Sequence, residues 1–214
     1  MTESRSERRR RANGEESRQR ILDAAAEVAG ERGYEGTSIA LVSEKCGLPA
    51  SSIYWHFKNK DDLIAAVIQR SFDIWADSLT LPGDETGPAL ERVTAMARQI
   101  AKTLLDSPDF LRLGLMLTLE RRPEEPSARR IFLQVRGIAR TRLSALFASL
   151  APDADQDTIE LLTTYAVAAA DGIFIAREIS GDNVEFLRLF ELHARALYDN
   201  LVRVSGGNPA AETR

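Results

Sequence analysis

The sequence predicts an all-α protein. Two observations carry this reading. Apolar residues recur at three- and four-residue spacing rather than in alternation, and all eight prolines fall between the periodic segments or in their first turns. There is no convincing alternating strand and no internal repeat. The chain has 214 residues, enough for one compact body or two small ones, and 44% hydrophobic with 28% charged residues is the balance of a globular protein rather than a disordered one.

The elements follow in order. Residues 1–16 read as a disordered basic arm centred on Arg8, Arg9, Arg10 and Arg11. A first helix is expected over residues 17–32, with Ile21, Leu22, Ala25, Val28 and Ala29 on one face and Gly33 closing it. Thr37 or Ser38 can cap a second helix that turns Leu41 and Val42 inward and ends at Cys46. Gly47 permits a sharp turn, and Pro49 opens a third helix running through Phe57. Further helices are expected at about 61–80, 88–106, 108–121, 126–150, 154–180 and 182–204, before a flexible tail at 205–214. Their apolar stripes include Leu63, Ile64, Val67, Ile68 and Phe72 in one, and Leu187, Phe190, Ala194, Leu197 and Leu201 in the last.

Composition excludes several functions. Cys46 is the only cysteine, so no internal disulfide can form and a reducing, cytoplasmic location is expected. No uninterrupted apolar run reaches the roughly 18 residues of a membrane-spanning helix, the richest stretch being broken by Asp171. The polar, arginine-rich start lacks the apolar segment of a secretory leader. Two histidines and one cysteine are too few for a zinc cluster, and there is no glycine-rich phosphate loop and no nucleophile motif. The expectation is therefore no catalytic residue, no metal, no cofactor and no enzyme. A net charge of -4 argues against a polyanion partner, but the charge is unevenly spread. Residues 1–60 hold 11 Lys and Arg against 9 Asp and Glu, whereas residues 61–214 hold 17 against 23.

Two helices joined by a tight glycine-containing turn describe a helix-turn-helix, whose second helix enters a DNA major groove. The stretch that follows, Ser51, Ser52, Ile53, Tyr54, Trp55, His56, Phe57, Lys58, Asn59, Lys60, Asp61, Asp62 and Leu63, closely resembles the DNA-binding signature of TetR-type bacterial repressors. The resemblance reaches back through Gly33, Gly36, Thr37 and Ser38 and covers about residues 17–68. It implies that Thr37, Tyr54, His56 and Lys60 clamp the DNA backbone while Ala50, Ser51, Ser52 and Trp55 face the groove, with Ser38 at the cap beside them. Ile53 and Phe57, four apart, anchor the helix to the body. No Arg, Gln or Asn in the third helix can make bidentate base contacts, and Ile39 stands where some relatives carry a polar base reader. Specificity then falls to thymine-methyl contact, serine and water bridges, and DNA deformability.

The organisation expected is thus a DNA-binding domain at 17–62 and a helical effector-binding and dimerisation domain at 63–204. Small residues around Ala166 to Ala170 would let the last two long helices approach a second copy closely. The resemblance implies the same two-fold dimer, a palindromic operator, repression, and release by a small-molecule effector. Residues for the effector cavity are Trp75, Ile100, Leu104, Phe110, Leu113, Met116, Leu117, Val135, Ile138 and Tyr165, with Arg112, Arg136 and Asp171 as polar orienters. His193 reads as a partly buried or interface histidine, and Cys46 as a small core residue. A helical enzyme and an assembly protein with a packed core and no effector are the competing classes.

Overall fold

A computed structural model describes residues 5–78, 88–120 and 126–206; side chains are described from residue 12 onward, excluding those at 75, 77 and 78. The described residues are helical, with no strand among them. In chain order they form α1 (Arg5–Gly36), α2 (Ile39–Cys46), α3 (Ala50–His56), α4 (Lys60–Ser78), α5 (Ala89–Asp106), α6 (Asp109–Leu119), α7 (Ser127–Leu150), α8 (Gln156–Ser180), a single 3₁₀ turn (Gly181–Asn183) and α9 (Phe186–Val204).

The helix starts follow the punctuation in the sequence. Pro88 and Pro108 stand immediately before α5 and α6. At α8 the Asp155 carboxylate accepts from the Thr158 N–H at 2.8 Å and from its hydroxyl at 3.0 Å. At α4 the cap is reciprocal: Asn59 Oδ1 accepts from the Asp62 N–H at 2.8 Å, and Asp62 Oδ2 accepts from the Lys58 N–H at 3.1 Å.

The structure differs from the sequence reading at the N-terminus. Residues 5–16, expected as a disordered arm, continue α1 as helix. Arg, Glu and Gln are strong helix formers, and same-face hydrogen bonds support the turn: Ser17 Oγ donates to Asn13 O at 2.8 Å and Gln19 Nε2 to Glu15 at 2.9 Å. The helix is broken at Gly33, whose φ of 69° and ψ of -179° lie outside the helical region. A Cβ there would come within 2.8 Å of Met116 Cε, the end of a flexible side chain that can give way, so the backbone torsion is what favours glycine.

Packing divides the described chain into two compact units. One draws on Met1–Ile74 and Pro108–Val135, the other on Trp75–Ser107 and Arg136–Arg214. The change of sequence character near Asp61 does not coincide with this division, because α6 and the first turns of α7 pack with the N-terminal helices. In that first unit, Ile21, Leu22, Ala25 and Ala29 of α1 and Leu63, Ile64, Val67 and Ile68 of α4 are fully buried. A run of rings, Phe72, Phe110 and Phe132, continues the core with centroids 5.4 and 5.2 Å apart. Phe132 lies on bare backbone at Gly114, where a Cβ would come within 2.1 Å of the ring.

The second unit has its own interior. Phe147 and Ala151 of the α7 end, Ile159 and Ala166 of α8, and Leu197 and Leu201 of α9 form one cluster. Val93 and Ala97 of α5 pack with Ala194 and Tyr198 of α9 in another. Two arginines of α7 reach α8: Arg136 pairs with Asp171, and Arg140 pairs with Glu160 while donating to the Thr164 hydroxyl at 2.9 Å. Burial pushes the Asp171 carboxyl above the usual carboxylate range, and the Arg136 guanidinium opposes that push.

The sequence expectation of no membrane-length apolar segment needs amending. The helical stretch 156–183 reaches a mean hydropathy of 1.5 over eighteen residues, and only 22% of that window is buried.

Candidate nucleic-acid interface

The interface is built by α2, the turn after it, α3 and the start of α4. Ser38 caps α2, its hydroxyl accepting from the Leu41 N–H at 3.3 Å. At the other end Arg20 of α1 donates to Cys46 O at 2.8 Å, satisfying a terminal carbonyl and tying α2 to α1. Gly47 turns the chain at φ 66°, and the Ser43 hydroxyl holds the turn by donating to Leu48 O at 2.6 Å. Pro49 then starts α3 without a side-chain cap.

Two anchors fix which face of α3 is shown. Ile53 is fully buried and Phe57 nearly so, with the Arg18 guanidinium 5.6 Å from the Phe57 ring centroid. The opposite face carries Ser51, Tyr54 and Trp55 to solvent, Tyr54 being 57% and Trp55 77% exposed. Large aromatic side chains left this open on a short helix have no role in the monomer core. Ala50, Ser52 and His56 are half-buried at the edges of the same surface, and Ser38 is exposed. The Trp55 indole lies at van der Waals distance, 3.8 Å, from where a Cβ on Gly14 would stand. It also meets the His56 ring edge-on at 4.6 Å. Burial, and then the Arg18 charge, hold His56 below the ordinary histidine value, with Glu15 opposing them.

Two members of the expected set are engaged within the fold. Thr37 is 2% exposed, its hydroxyl donating to Gly33 O at 2.7 Å, so it shapes the bend between α1 and α2. Lys60 donates to Tyr34 O at 3.0 Å, lies 4.4 Å from the Tyr34 ring centroid and 3.7 Å from the Glu35 carboxylate. Sequence reasoning did not single out Arg18, Arg20 or Tyr34, and it named Asp61 only as part of the signature, without a partner. Their partners are distant in sequence, and no local spacing advertises them. Arg8, Arg9, Arg10 and Arg11 are in the helical backbone of α1, but their side chains lie outside the described residues.

The residues expected to line an effector cavity are distributed over both units. Phe110, Leu113, Leu117 and Val135 are buried in the first unit, where Met116 is partly exposed. Leu104 is buried and Ile100 half-buried in the second unit, while Ile138 and Tyr165 are 40% and 47% exposed. The Trp75 side chain lies outside the described residues. A cleft of about 580 Å³ in the first unit is lined by Asp23, Glu27, Gly30 and Glu31 of α1, Arg70 of α4, and Asp109 and Arg112 of α6, with Ala26. Of the expected orienters only Arg112 reaches it.

Residues 21–67 match the sequence profile of bacterial regulatory proteins of the tetR family. The transcriptional repressor Rv1353c of Mycobacterium tuberculosis is 32% identical over 101 residues, which is 47% of this chain and 38% of that protein. Residues 21–67 are thus a TetR-family DNA-binding domain. The chain's match spans about two-fifths of the length of such curated relatives, as that 38% records. Among solved structures, a TetR-like transcriptional regulator from Rhodococcus sp. RHA1 superposes with a TM-score of 0.65 at 22% identity, over 90% of this chain and 97% of that one. The transcriptional regulator FadR from Bacillus subtilis, in complex with stearoyl-CoA, gives 0.71 at 16% identity, over 85% and 98%. At these identities the superpositions establish the TetR-family fold alone.

Proposed function

We propose that this protein is a homodimeric transcriptional repressor that binds a palindromic operator through α3 and is released by a small-molecule effector. The observation that carries the reading is the surface of α3: Ile53 and Phe57 are buried anchors, and Ser51, Tyr54 and Trp55 are left to meet another molecule. Hydroxyl, phenol and indole groups suit phosphate oxygens and base edges. Binding rather than catalysis is its task, and the cytoplasm, where an operator is reached, is its place.

The dimer is supported by α8. Leu161, Tyr165, Ala168, Gly172, Ile175 and Ile179 recur at alternating four- and three-residue spacing, and all are exposed. Gly172 has open space around its Cβ position. A continuous apolar stripe with small residues at its centre suits a second helix packed at close range. Lipid is the other apolar solvent for such a stripe, but Arg136, Arg140, Glu160 and Thr164 form ionic and polar contacts along the same helix. Two copies joined this way would offer paired α3 helices to a two-fold site. The effector is a small molecule of unassigned identity; long-chain acyl-CoA is the first probe to try, since the similarly folded FadR was solved with stearoyl-CoA.

The test is enrichment of a duplex from random-sequence DNA by the purified chain, followed by affinity measurements across salt concentrations. A palindromic product is expected, with affinity falling steeply in salt and on Tyr54→Ala. Binding that ignores both sequence and this substitution would defeat the reading. Thermal-shift measurement with acyl-CoA and other apolar ligands tests the effector.

A further inference from the structure

The Asp61 carboxylate is held by four hydrogen bonds. Oδ2 accepts from the Ser127 N–H at 2.7 Å and from the Ser127 hydroxyl, while Oδ1 accepts from the Ala128 N–H at 3.1 Å and the Tyr34 hydroxyl at 3.3 Å. The N–H groups of a first helical turn have no partner within the helix, and a negative charge suits that end. Here the partner comes from α4, 66 residues upstream of Ser127. The carboxylate therefore caps α7 with a side chain from the beginning of α4.

Tyr34 joins this cap to the DNA-facing surface. Its hydroxyl is held by Asp61, its carbonyl accepts from Lys60 Nζ, and its ring lies under the same ammonium. A lysine has a long flexible stem, and a prearranged platform removes much of the entropy lost when the ammonium is ordered on a ligand. We infer that Asp61 is a positioning residue for DNA binding: by holding the first turn of α7 and the Tyr34 hydroxyl together, it fixes the platform from which Lys60 is presented to the DNA backbone. The inference rests on the DNA-binding reading above. It also makes Lys60 answerable to α7, a helix that continues to Leu150.

The probe is the duplex enriched by the unmodified chain. Asp61→Asn, Tyr34→Phe and Ser127→Ala are each measured alone and combined with Lys60→Ala, with melting curves alongside. Asp61→Asn is expected to weaken binding about tenfold, and the other two a few-fold. The slope of log affinity against log salt should shrink by about one for Asp61→Asn, as for loss of a phosphate contact. In the Lys60→Ala background each substitution should add less than about twofold, because the residue they act through is gone. A change of local charge alone would appear equally in both backgrounds. Equal losses with and without Lys60, or no loss from any of the three, overturn the inference. If Asp61→Asn melts early, Tyr34→Phe and Ser127→Ala keep the carboxylate and decide the cycle. If the unmodified chain enriches no duplex, the DNA-binding reading falls and the inference with it; enrichment followed by additive losses defeats the inference alone.

Discussion

The two packed units solve opposite surface problems. In the first, most apolar side chains of α1 and α4 are enclosed, with Ile74, Met116 and Leu119 left exposed, and polar and aromatic groups are shown on one short helix, α3. In the second, α5, α8 and α9 share an interior, yet Leu161, Ile179 and Leu192 remain 70%, 79% and 63% exposed. A solvent-facing Tyr and Trp beside serines suit a polar, charged partner. A solvent-facing run of Leu and Ile suits an apolar one. One chain thus carries two kinds of unfinished surface, each matched to a different class of contact.

This contrast can be broken at four places. The largest effect is expected at Phe132, nearly fully buried against Gly114. Phe132→Ala should cost about 3–5 kcal/mol of stability, read as an early unfolding transition. If the melt is unchanged, the ring run is not the core of the first unit. Next comes the apolar stripe: Ile179→Arg should convert a dimer to monomers in sedimentation analysis while the helical signal stays intact. Should the unmodified chain itself sediment as a monomer, the stripe has another occupant. On the polar side, Tyr54→Ala should weaken duplex binding about tenfold without altering the melt or the oligomeric state. Loss of the dimer on this substitution would erase the separation of roles.

The smallest expected effect is a pH dependence in the second unit. Burial holds the His193 ring below its ordinary value of 6.5, while its Nε2 lies 3.1 Å from Ala166 O and its ring 5.8 Å from that of Tyr165. The folded chain therefore takes up this proton at lower pH than the unfolded chain. The histidine's contribution to stability is full above about pH 6.5 and is lost as the pH falls through the depressed folded value. Melting temperature should decline over that range, and His193→Asn should flatten the decline. An unchanged slope in the variant would assign the titration to another group.

Much of this was legible in the sequence, and the boundary of legibility is physical. Prolines and glycines set backbone torsions locally, so Pro88, Pro108, Gly33 and Gly47 marked helix limits directly. The amphipathic spacing of Ile53 and Phe57 identified the buried side of α3, and the run through Lys60 identified a TetR-type DNA-binding domain. Contacts between distant segments left no local trace. Nothing around Asp61 announces Ser127, and nothing around Gly114 announces Phe132. The same blindness placed α6 with the C-terminal residues and left Gly14 unconnected to Trp55. A polar start also reads as an arm when only its charge is considered, although its helix-forming residues extend α1.

The Arg136–Asp171 pair has a consequence for alignment. Stripes of Leu, Ile and Ala can slide by a helical turn and find nearly equivalent contacts, so an apolar seam alone fixes helix order better than helix offset. A slip of one turn would carry Asp171 about 5.4 Å along the axis. It would pull a half-buried carboxylate away from its guanidinium, a penalty no regained methylene contact offsets. The pair acts as a key, admitting one offset of α7 against α8 out of the several that packing alone would allow.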